Sequence, residues 1–452
     1  MRLFGSSGIR GLANVEVTPL LAQRVGAAIA SQFDGGAVLI GRDTRLSGEM
    51  LEAALTSGIV SCGFVAGTLG IVPTPVVAWL TREVEAEAGV SISASHNPPQ
   101  YNGFKVFSST GMAYTEEQQG MLEKFIEDGA FRTSGWDRVG RVEALDVWRH
   151  YVDALVQEIG FEKNWRVVCD LFNGATCTIV PEVFLEVGCE VALINAQPDS
   201  RFPAGNPEPN EQSLKRLGQM VRTLGADIGF GFDGDGDRMM TVDERGGVPS
   251  PDRVLAAYAR HVVEENGGGV VVTHVGASMC VEEAVKGVGG STVRTKVGDV
   301  HITEAMKEHG AVFGGEPVGS WVHPDIHLCP DGVLSALKLM AALEDEGKTL
   351  SEFIGDIPQY VTLRAKIECP DKAKGGVVNA ISTTYDDEFD DINDTSTVDG
   401  VRLELDDSWV LIRPSGTEPI FRITVEAHDM ERAKELLNTS QRFVQGVLEG
   451  KP

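Results

Sequence analysis

The run DIGFGFDGDGDRMMTVD, Asp227–Asp243, sets three aspartates, Asp233, Asp235 and Asp237, on alternate positions between glycines. A helix–loop–helix calcium site begins with the same spacing, and Glu244 falls at its twelfth position counted from Asp233. Two features rule that reading out. Arg238 stands where such a loop requires glycine, and the flanks DIGFGF and MMTVD read as strands, not helices. The fragment is strand, acidic turn, strand, as in an α/β protein. Three carboxylates at i, i+2 and i+4 repel one another unless a cation sits among them. All-oxygen ligation of this kind suits Mg²⁺ or Ca²⁺ better than zinc; the alternative is a solvated acidic turn.

On both sides of this run strands and helices alternate, which predicts mixed or mostly parallel sheets with helices on both faces. Over residues 1–145, AVLI reads as a strand, EMLEAALTSGIV as a helix and TPVVAWLTREV as a helix with Pro75 in its first turn. GVSISAS follows as a strand, and Thr115 with Gln118 opens a capped helix that Gly129 closes. A second α/β block, 146–249, holds the helix LDVWRHYVDALVQEIG, the strands RVVCDL and CEVALI and the aspartate run. A third, 250–358, contains GGVVVTHV, STVRTKVG, AVFGGE and the helix VLSALKLMAALEDEG. The last block, 359–452, gathers YVTLRAKIEC, VRLELDD, SWVLIRP and FRITVEAHD before a final helix, an α+β pattern. Its acidic stretch YDDEFDDINDTSTVDG reads as a solvated loop.

A chain of 452 residues is too long for one hydrophobic core, which leads us to expect these four domains. The 42% hydrophobic and 23% charged composition is that of a soluble globular enzyme. A formal charge of -27 excludes nonspecific binding to nucleic acid or to an anionic membrane, yet permits an anionic small substrate held by a few local cations. The start MRLFGSSGIRG is too polar for a signal peptide and no run reaches transmembrane length, so a cytoplasmic protein is expected. The seven cysteines are scattered without a C-x-x-C pair, which reads as reduced core fillers and not a zinc site.

Ligands of α/β sheets bind beyond the C-terminal ends of strands, and three further unusual loops stand at such places. SISASHNPPQYNGFK, Ser91–Lys105, carries a strand into Ser95, His96, Asn97 and Pro98. Read alone, an Asn-Pro turn explains it. The chemical reading makes Ser95 a nucleophile, His96 its orienting group and Lys105 an acid/base or phosphate ligand. FGGEPVGS, Phe313–Ser320, presents Glu316 on a glycine-flanked turn suited to accepting from sugar hydroxyls, or is a plain turn. RPSGTEPIFR, Arg413–Arg422, surrounds a turn with phosphate donors: Arg413, Arg422, Ser415, Thr417 and the backbone around Gly416. A hairpin turn alone would not need them all. Mg²⁺ takes about six oxygens, so the three aspartates leave room for another anionic ligand, such as a phosphate carried on Ser95.

With FGSSGIRG, GRDTR (Gly41–Arg45), SASHNPPQYNGFK, DGDGDR, KVGD (Lys296–Asp299), GEPVG and RPSGTEP in this order, the chain resembles the α-D-phosphohexomutase family over essentially its whole length. That family includes phosphoglucomutases, phosphomannomutases and phosphoglucosamine mutases, and the likeness is greatest to archaeal members grouped with the last. The resemblance implies four domains around a central cleft, each contributing one loop. It implies phosphorylation of Ser95, with one Mg²⁺ per chain shared by Ser95, Asp233, Asp235 and Asp237. Arg10 and Lys105 would flank the transferring group and Arg238 the metal loop. Lys296, Gly298, Asp299 and Glu316 would read the sugar, while Arg413, Ser415, Gly416 and Thr417 grip the phosphate that does not react. The implied cycle passes through a hexose 1,6-bisphosphate, which also serves as activator, and the implied partner is a hexose or hexosamine phosphate acting on a monomer or homodimer.

One position departs from the family pattern. Many members carry a serine two residues after the sugar-loop glutamate; here Val318 cannot hydrogen-bond, which leaves the sugar open. His323 and His327 of HPDIHLCPDG are candidates for added sugar or phosphate contacts, with surface positions as the plainer reading. The resulting expectation is a glucosamine phosphate mutase, with a phosphomannomutase/phosphoglucomutase as runner-up. A sugar-phosphate binding protein without turnover would have no need of the metal loop. An aspartate-based phosphatase would leave the serine loop unexplained.

Overall fold

Four sheets follow one another along the chain in the computed structural model, which describes residues 3–5, 8–416 and 418–450. The first has seven strands, with Tyr101–Ser108, Ala88–Ile92, Ala37–Arg42 and Val65–Ile71 adjacent at its centre. Ala88–Ile92 is buried at every residue, as a strand between two helical layers must be, and runs parallel to Ala37–Arg42. The capping box at Thr115 and the left-handed cap at Gly129 form as the sequence predicts.

In the second sheet, Ile228–Phe232 and Met239–Val242 pair antiparallel with Phe232 opposite Met239, so the aspartate run is the turn of a hairpin. Arg166–Asp170 and Glu190–Ile194 complete that sheet in parallel. In the third, Val270–His274 lies between Ser291–Thr295 and Phe313–Glu316, all parallel, with Ser320–Val322 antiparallel at one edge. The fourth has five antiparallel strands covered by the helices Asp371–Thr384 and Met430–Leu448. The fold class is therefore three α/β units and a C-terminal α+β unit. No described helix is long and apolar enough to cross a membrane.

Two features differ from the sequence reading. The acidic stretch is not all solvated loop: Ile392–Ser396 forms an edge strand against Val401–Leu405. Its aspartates are tolerated because an edge strand keeps one side in water, where charge also discourages further pairing. The four domains also do not each keep a wholly separate core. One hydrophobic cluster runs through Leu39 and Trp79, Phe230, and Tyr258 and Phe313, joining the first three units. The helix Thr74–Glu83 is buried through Thr81, and its Trp79 meets Tyr151 of the helix Trp148–Glu158 edge-on at 5.8 Å. Helices apolar around most of their surface can serve two sheets at once. The C-terminal unit keeps its own cluster, including Ile423 and Phe443.

Candidate active site

The serine loop is built from two sequence segments. After Ile92 the chain turns, and Ser95 takes a φ of 51°, a left-handed conformation that costs a residue with a Cβ about 1 kcal/mol or more. Arg45, 1% exposed, holds the loop there. Its Nη2 donates to Ser95 O and Asn97 O, both at 2.7 Å, and its Nη1 to Pro98 O at 2.6 Å and Tyr101 O at 2.9 Å. Nε donates to Asp43 Oδ2 at 2.8 Å, and Ser93 Oγ donates to the same oxygen at 2.6 Å. Sequence reasoning assigned no role to Asp43 and Arg45, although an Asp–Arg pair directly after a buried strand was a visible signal.

Ser95 Oγ donates to Asp233 Oδ2 at 2.7 Å and lies 3.2 Å from His96 Nδ1. Gly234 lets the metal loop come this close, since a Cβ there would stand 2.6 Å from Ser95 O. Asp233, Asp235 and Asp237 are buried, and one oxygen from each falls within 4.8 Å of the others. Thr74 Oγ1 donates to Asp235 Oδ2 at 2.6 Å, and Lys105 Nζ donates to the same oxygen at 2.7 Å and to Asp237 Oδ2. Burial, then Asp237 and Asp235, push the Asp233 carboxyl well above the usual range. Burial acts the same way on Asp235, but Lys105 and Thr74 outweigh it and hold that carboxyl low. Burial opposes the Lys105 ammonium too, yet Asp235 and Asp237 keep it charged.

Asp235 Oδ1 and Asp237 Oδ1 are buried with no hydrogen-bond partner. Unpartnered buried carboxylate oxygens are costly, and a divalent cation of the hard, oxygen-seeking kind relieves that cost directly. The residues present therefore fit a metal ion. Arg10 donates to Asn97 Oδ1 at 3.1 Å, beside the serine. His96 is pushed down to about 3 by burial and by Arg238 and Arg10, which keeps its imidazole neutral; with the one Ser95 proton given to Asp233, Nδ1 can meet Oγ only as a donor.

From the third unit, Glu316 ends its strand buried, and Gly298 N donates to Glu316 Oε1 at 3.1 Å. Burial raises the Glu316 carboxyl, with Arg238 acting against it, so sugar loop and metal loop are electrostatic neighbours. Asp299 begins the helix Asp299–His309, whose N-terminus favours its charge. Lys296 is half-exposed, 3.9 Å from Glu116 of the first unit. Val318 is 44% exposed on the loop.

His327 is a correction. It is buried, its Nε2 3.0 Å from Asp331 Oδ2, which also accepts from Tyr151 Oη at 2.6 Å. Gly332, next in the chain, donates to Gly236 O at 3.1 Å. The histidine thus braces the underside of the metal loop and is not a surface residue; its Asp331 partner, four residues on, accounts for the burial.

In the fourth unit, Arg413 and Arg422 lie directly opposite on paired strands. Like charges so placed repel unless an anion joins them. Here Arg413 Nη2 meets Asp399 Oδ2 at 2.9 Å and Arg422 Nη2 meets Glu418 Oε2 at 2.6 Å, while Arg413 Nε is buried without a partner. Ser415 Oγ accepts from Glu418 N at 3.2 Å, and Lys374 Nζ donates to Ser415 O and Glu418 O, both at 2.6 Å. Gly416 lies in the same turn, and Thr417 lies outside the described residues. Asp399 and Lys374 were missed by sequence reasoning; nothing local marks either.

Four family descriptions match the chain in order. Phosphoglucomutase/phosphomannomutase alpha/beta/alpha domains I, II and III match residues 1–133, 149–247 and 250–360, and the C-terminal domain matches 365–439. A "Probable phosphoglucosamine mutase" of Methanopyrus kandleri is 46% identical over 440 residues, covering 96% of each chain. The phosphoglucosamine mutase of Methanococcus maripaludis is 40% identical over 456 residues, covering 100% of each. A solved phosphoglucomutase/phosphomannomutase family protein from Burkholderia thailandensis superposes with a TM-score of 0.90 at 28% identity, covering 100% of this chain and 98% of that one.

Proposed function

Because the chain belongs to the phosphoglucomutase/phosphomannomutase family, we propose that it is a metal-dependent mutase that interconverts glucosamine 6-phosphate and glucosamine 1-phosphate through phosphorylated Ser95. The observation that carries this reading is Ser95 Oγ hydrogen-bonded to one of three clustered, buried aspartates, two of which have unpartnered oxygens. The amino sugar comes from the full-length likeness to proteins named phosphoglucosamine mutase.

Asp233, Asp235 and Asp237 would hold one Mg²⁺ together with the phosphate on Ser95, and the ion would offset charge on the phosphoryl oxygens. In the first half-reaction the bond from phosphorus to Ser95 Oγ breaks as one forms to a sugar hydroxyl oxygen, giving a bisphosphate, and the proton the hydroxyl loses is balanced by the one Ser95 Oγ gains. In the second the other phosphoryl group returns to Ser95. Positioning and electrostatics supply most of such a transfer. Arg45 fixes the serine loop, Lys105 and Arg10 bring positive charge to the transferring group, and the neutral His96, in reach of Ser95 Oγ, helps to orient it. Arg413, Arg422 and the Ser415–Gly416 turn would hold the phosphate that does not react, and Lys296, Gly298, Asp299 and Glu316 would face the sugar.

The test follows glucosamine, mannose and glucose 6-phosphates by phosphorus NMR with Mg²⁺ and a trace of hexose 1,6-bisphosphate. Fast conversion of the amino sugar, abolished in Ser95→Ala, is expected. Faster conversion of mannose or glucose phosphate would reassign the sugar, and undiminished activity in Ser95→Ala would remove the covalent mechanism.

A further inference from the structure

His274 ends the central strand of the third sheet, between the strand that leads to KVGD and the strand that ends in Glu316. Its backbone is fixed: Arg294 Nη1 donates to His274 O at 3.1 Å. Its ring is fixed as well, because Gly276 N–H donates to Nδ1 at 2.9 Å. A ring nitrogen that accepts from a backbone N–H carries no proton, so in the neutral imidazole Nε2 is the donor. Burial, then Arg294 and Arg413, keep the imidazole neutral down to about 3.

That donor faces Glu316. Nε2 and Glu316 Oε1 are 4.0 Å apart, with side chains 12% and 7% exposed. The separation is too long for a direct hydrogen bond. It is close to the spacing at which a single hydroxyl oxygen, about 2.8 Å from each atom, accepts from one and donates to the other. A sugar hydroxyl has this dual character, as has the water it would displace, whereas an anion can only accept and an ammonium group only donate. The carboxylate alone would bind any donor; the pair selects a group that both donates and accepts.

We propose that His274 and Glu316 together form a subsite for one sugar hydroxyl, with His274 Nε2–H as the donor that sets its selectivity. The inference rests on the mutase reading and deepens it. It also bears on Val318: a hydroxyl contact that this side chain cannot make is supplied from the neighbouring strand.

The test combines His274→Phe and His274→Gln with hexosamine 6-phosphates lacking the 3- or the 4-hydroxyl. His274→Phe should raise KM about tenfold to a hundredfold, the worth of one buried hydrogen bond to a charged-site hydroxyl, while kcat falls less. One of the two deoxy substrates should show a comparable loss with the wild-type protein and no further loss with His274→Phe. His274→Gln, which keeps an N–H near the Nε2 position, should recover most of the affinity. Losses that multiply for both analogues, or a Gln variant as impaired as Phe toward every substrate, would overturn the subsite. Thermal melting of both variants separates a folding defect, and the deoxy series on the wild-type protein reads the subsite without any substitution: equal, undiminished turnover of both analogues overturns it. A wild-type protein inert toward every hexose phosphate would sink the mutase reading and this inference with it, whereas normal turnover with an unaffected His274→Phe would sink this inference alone.

Discussion

The first three units are fused, and the fourth is docked. A single hydrophobic cluster passes from Leu39 through Phe230 to Tyr258, so no plane separates those units without exposing apolar surface. The C-terminal unit meets the rest through a small apolar patch, Val275, Trp409 and Leu411, and through a polar junction. At that junction the buried Glu426 accepts through Oε1 from Ser278 Oγ at 3.0 Å, Met279 N at 2.9 Å and Trp409 Nε1 at 2.8 Å. Ser278 and Met279 open a helix, where a carboxylate is favoured. Burial of apolar area resists any separation, while a few directional bonds hold one geometry and can be exchanged. Serine and metal loop thus share a rigid body, and the phosphate grip sits on the part that can re-seat.

The sharpest way to break this contrast is Arg45→Met in the fused body. It strands the buried Asp43 carboxylate and four loop carbonyls. Breaking a buried ion pair from one side costs roughly 3–5 kcal/mol, so urea denaturation should show a loss of that size. A loss below about 1 kcal/mol would mean that Arg45 is not what holds Ser95 in place. Glu426→Ala addresses the docked side. It leaves four donors without this acceptor, Thr362 Oγ1 on the other carboxylate oxygen included, worth about 2–3 kcal/mol together, and the cost should fall on the junction. Amide exchange should quicken in Ser408–Pro414 and stay unchanged in Ala88–Ile92; equal quickening in both would mean that the fourth unit is fused after all. Lys374→Met loosens only the phosphate turn. Sugar-phosphate affinity should fall about tenfold, measured by calorimetry, with Ser95 still phosphorylated and the melting temperature little changed.

What was legible in the sequence follows the same division. Strand ends with glycine, proline and paired charges announced all four loops, because tight turns and clustered charge need those residues next to one another. Groups that act from a distance in sequence gave no such signal. Lys374 reaches the phosphate turn from a helix 41 residues earlier, and Glu426 reads as an ordinary strand residue. His274 ends a smooth apolar run, and only the sheet order shows that its neighbour is Glu316. The shared core was invisible for a related reason. Apolar periodicity reports that a face is buried, not which unit covers it. His327 was misplaced because a pair of histidines in a proline-bearing loop looks solvent-facing until Asp331 and Tyr151 are seen against it.

The smallest predicted effect tests the fused body through acid. His323 lies inside it, with Tyr258 Oη 3.5 Å from Nδ1 and Ser335 Oγ 3.0 Å from Nε2. Ser335 Oγ–H donates to Asp331 O, so it accepts from Nε2–H, and Nδ1 is left to accept from the tyrosine. A second proton, on Nδ1, would take away the acceptor of the buried Tyr258 O–H. Burial accordingly lowers the imidazole from 6.5 to about 3, with Lys338 adding to it and Asp325 opposing. The unfolded chain binds a proton near 6.5 and the folded one does not, so stability falls as pH drops from about 6.5 toward 3. Between pH 7 and pH 6 the share of one such histidine is about 0.7 kcal/mol. His323→Asn will destabilise at both pH values by removing packing; the informative quantity is the difference between them. Wild type should lose about 0.7 kcal/mol more than the variant over that unit of pH, by urea denaturation at each. Equal losses would show that protonated His323 is accommodated inside the shared core, which a body closed to water on all sides does not permit.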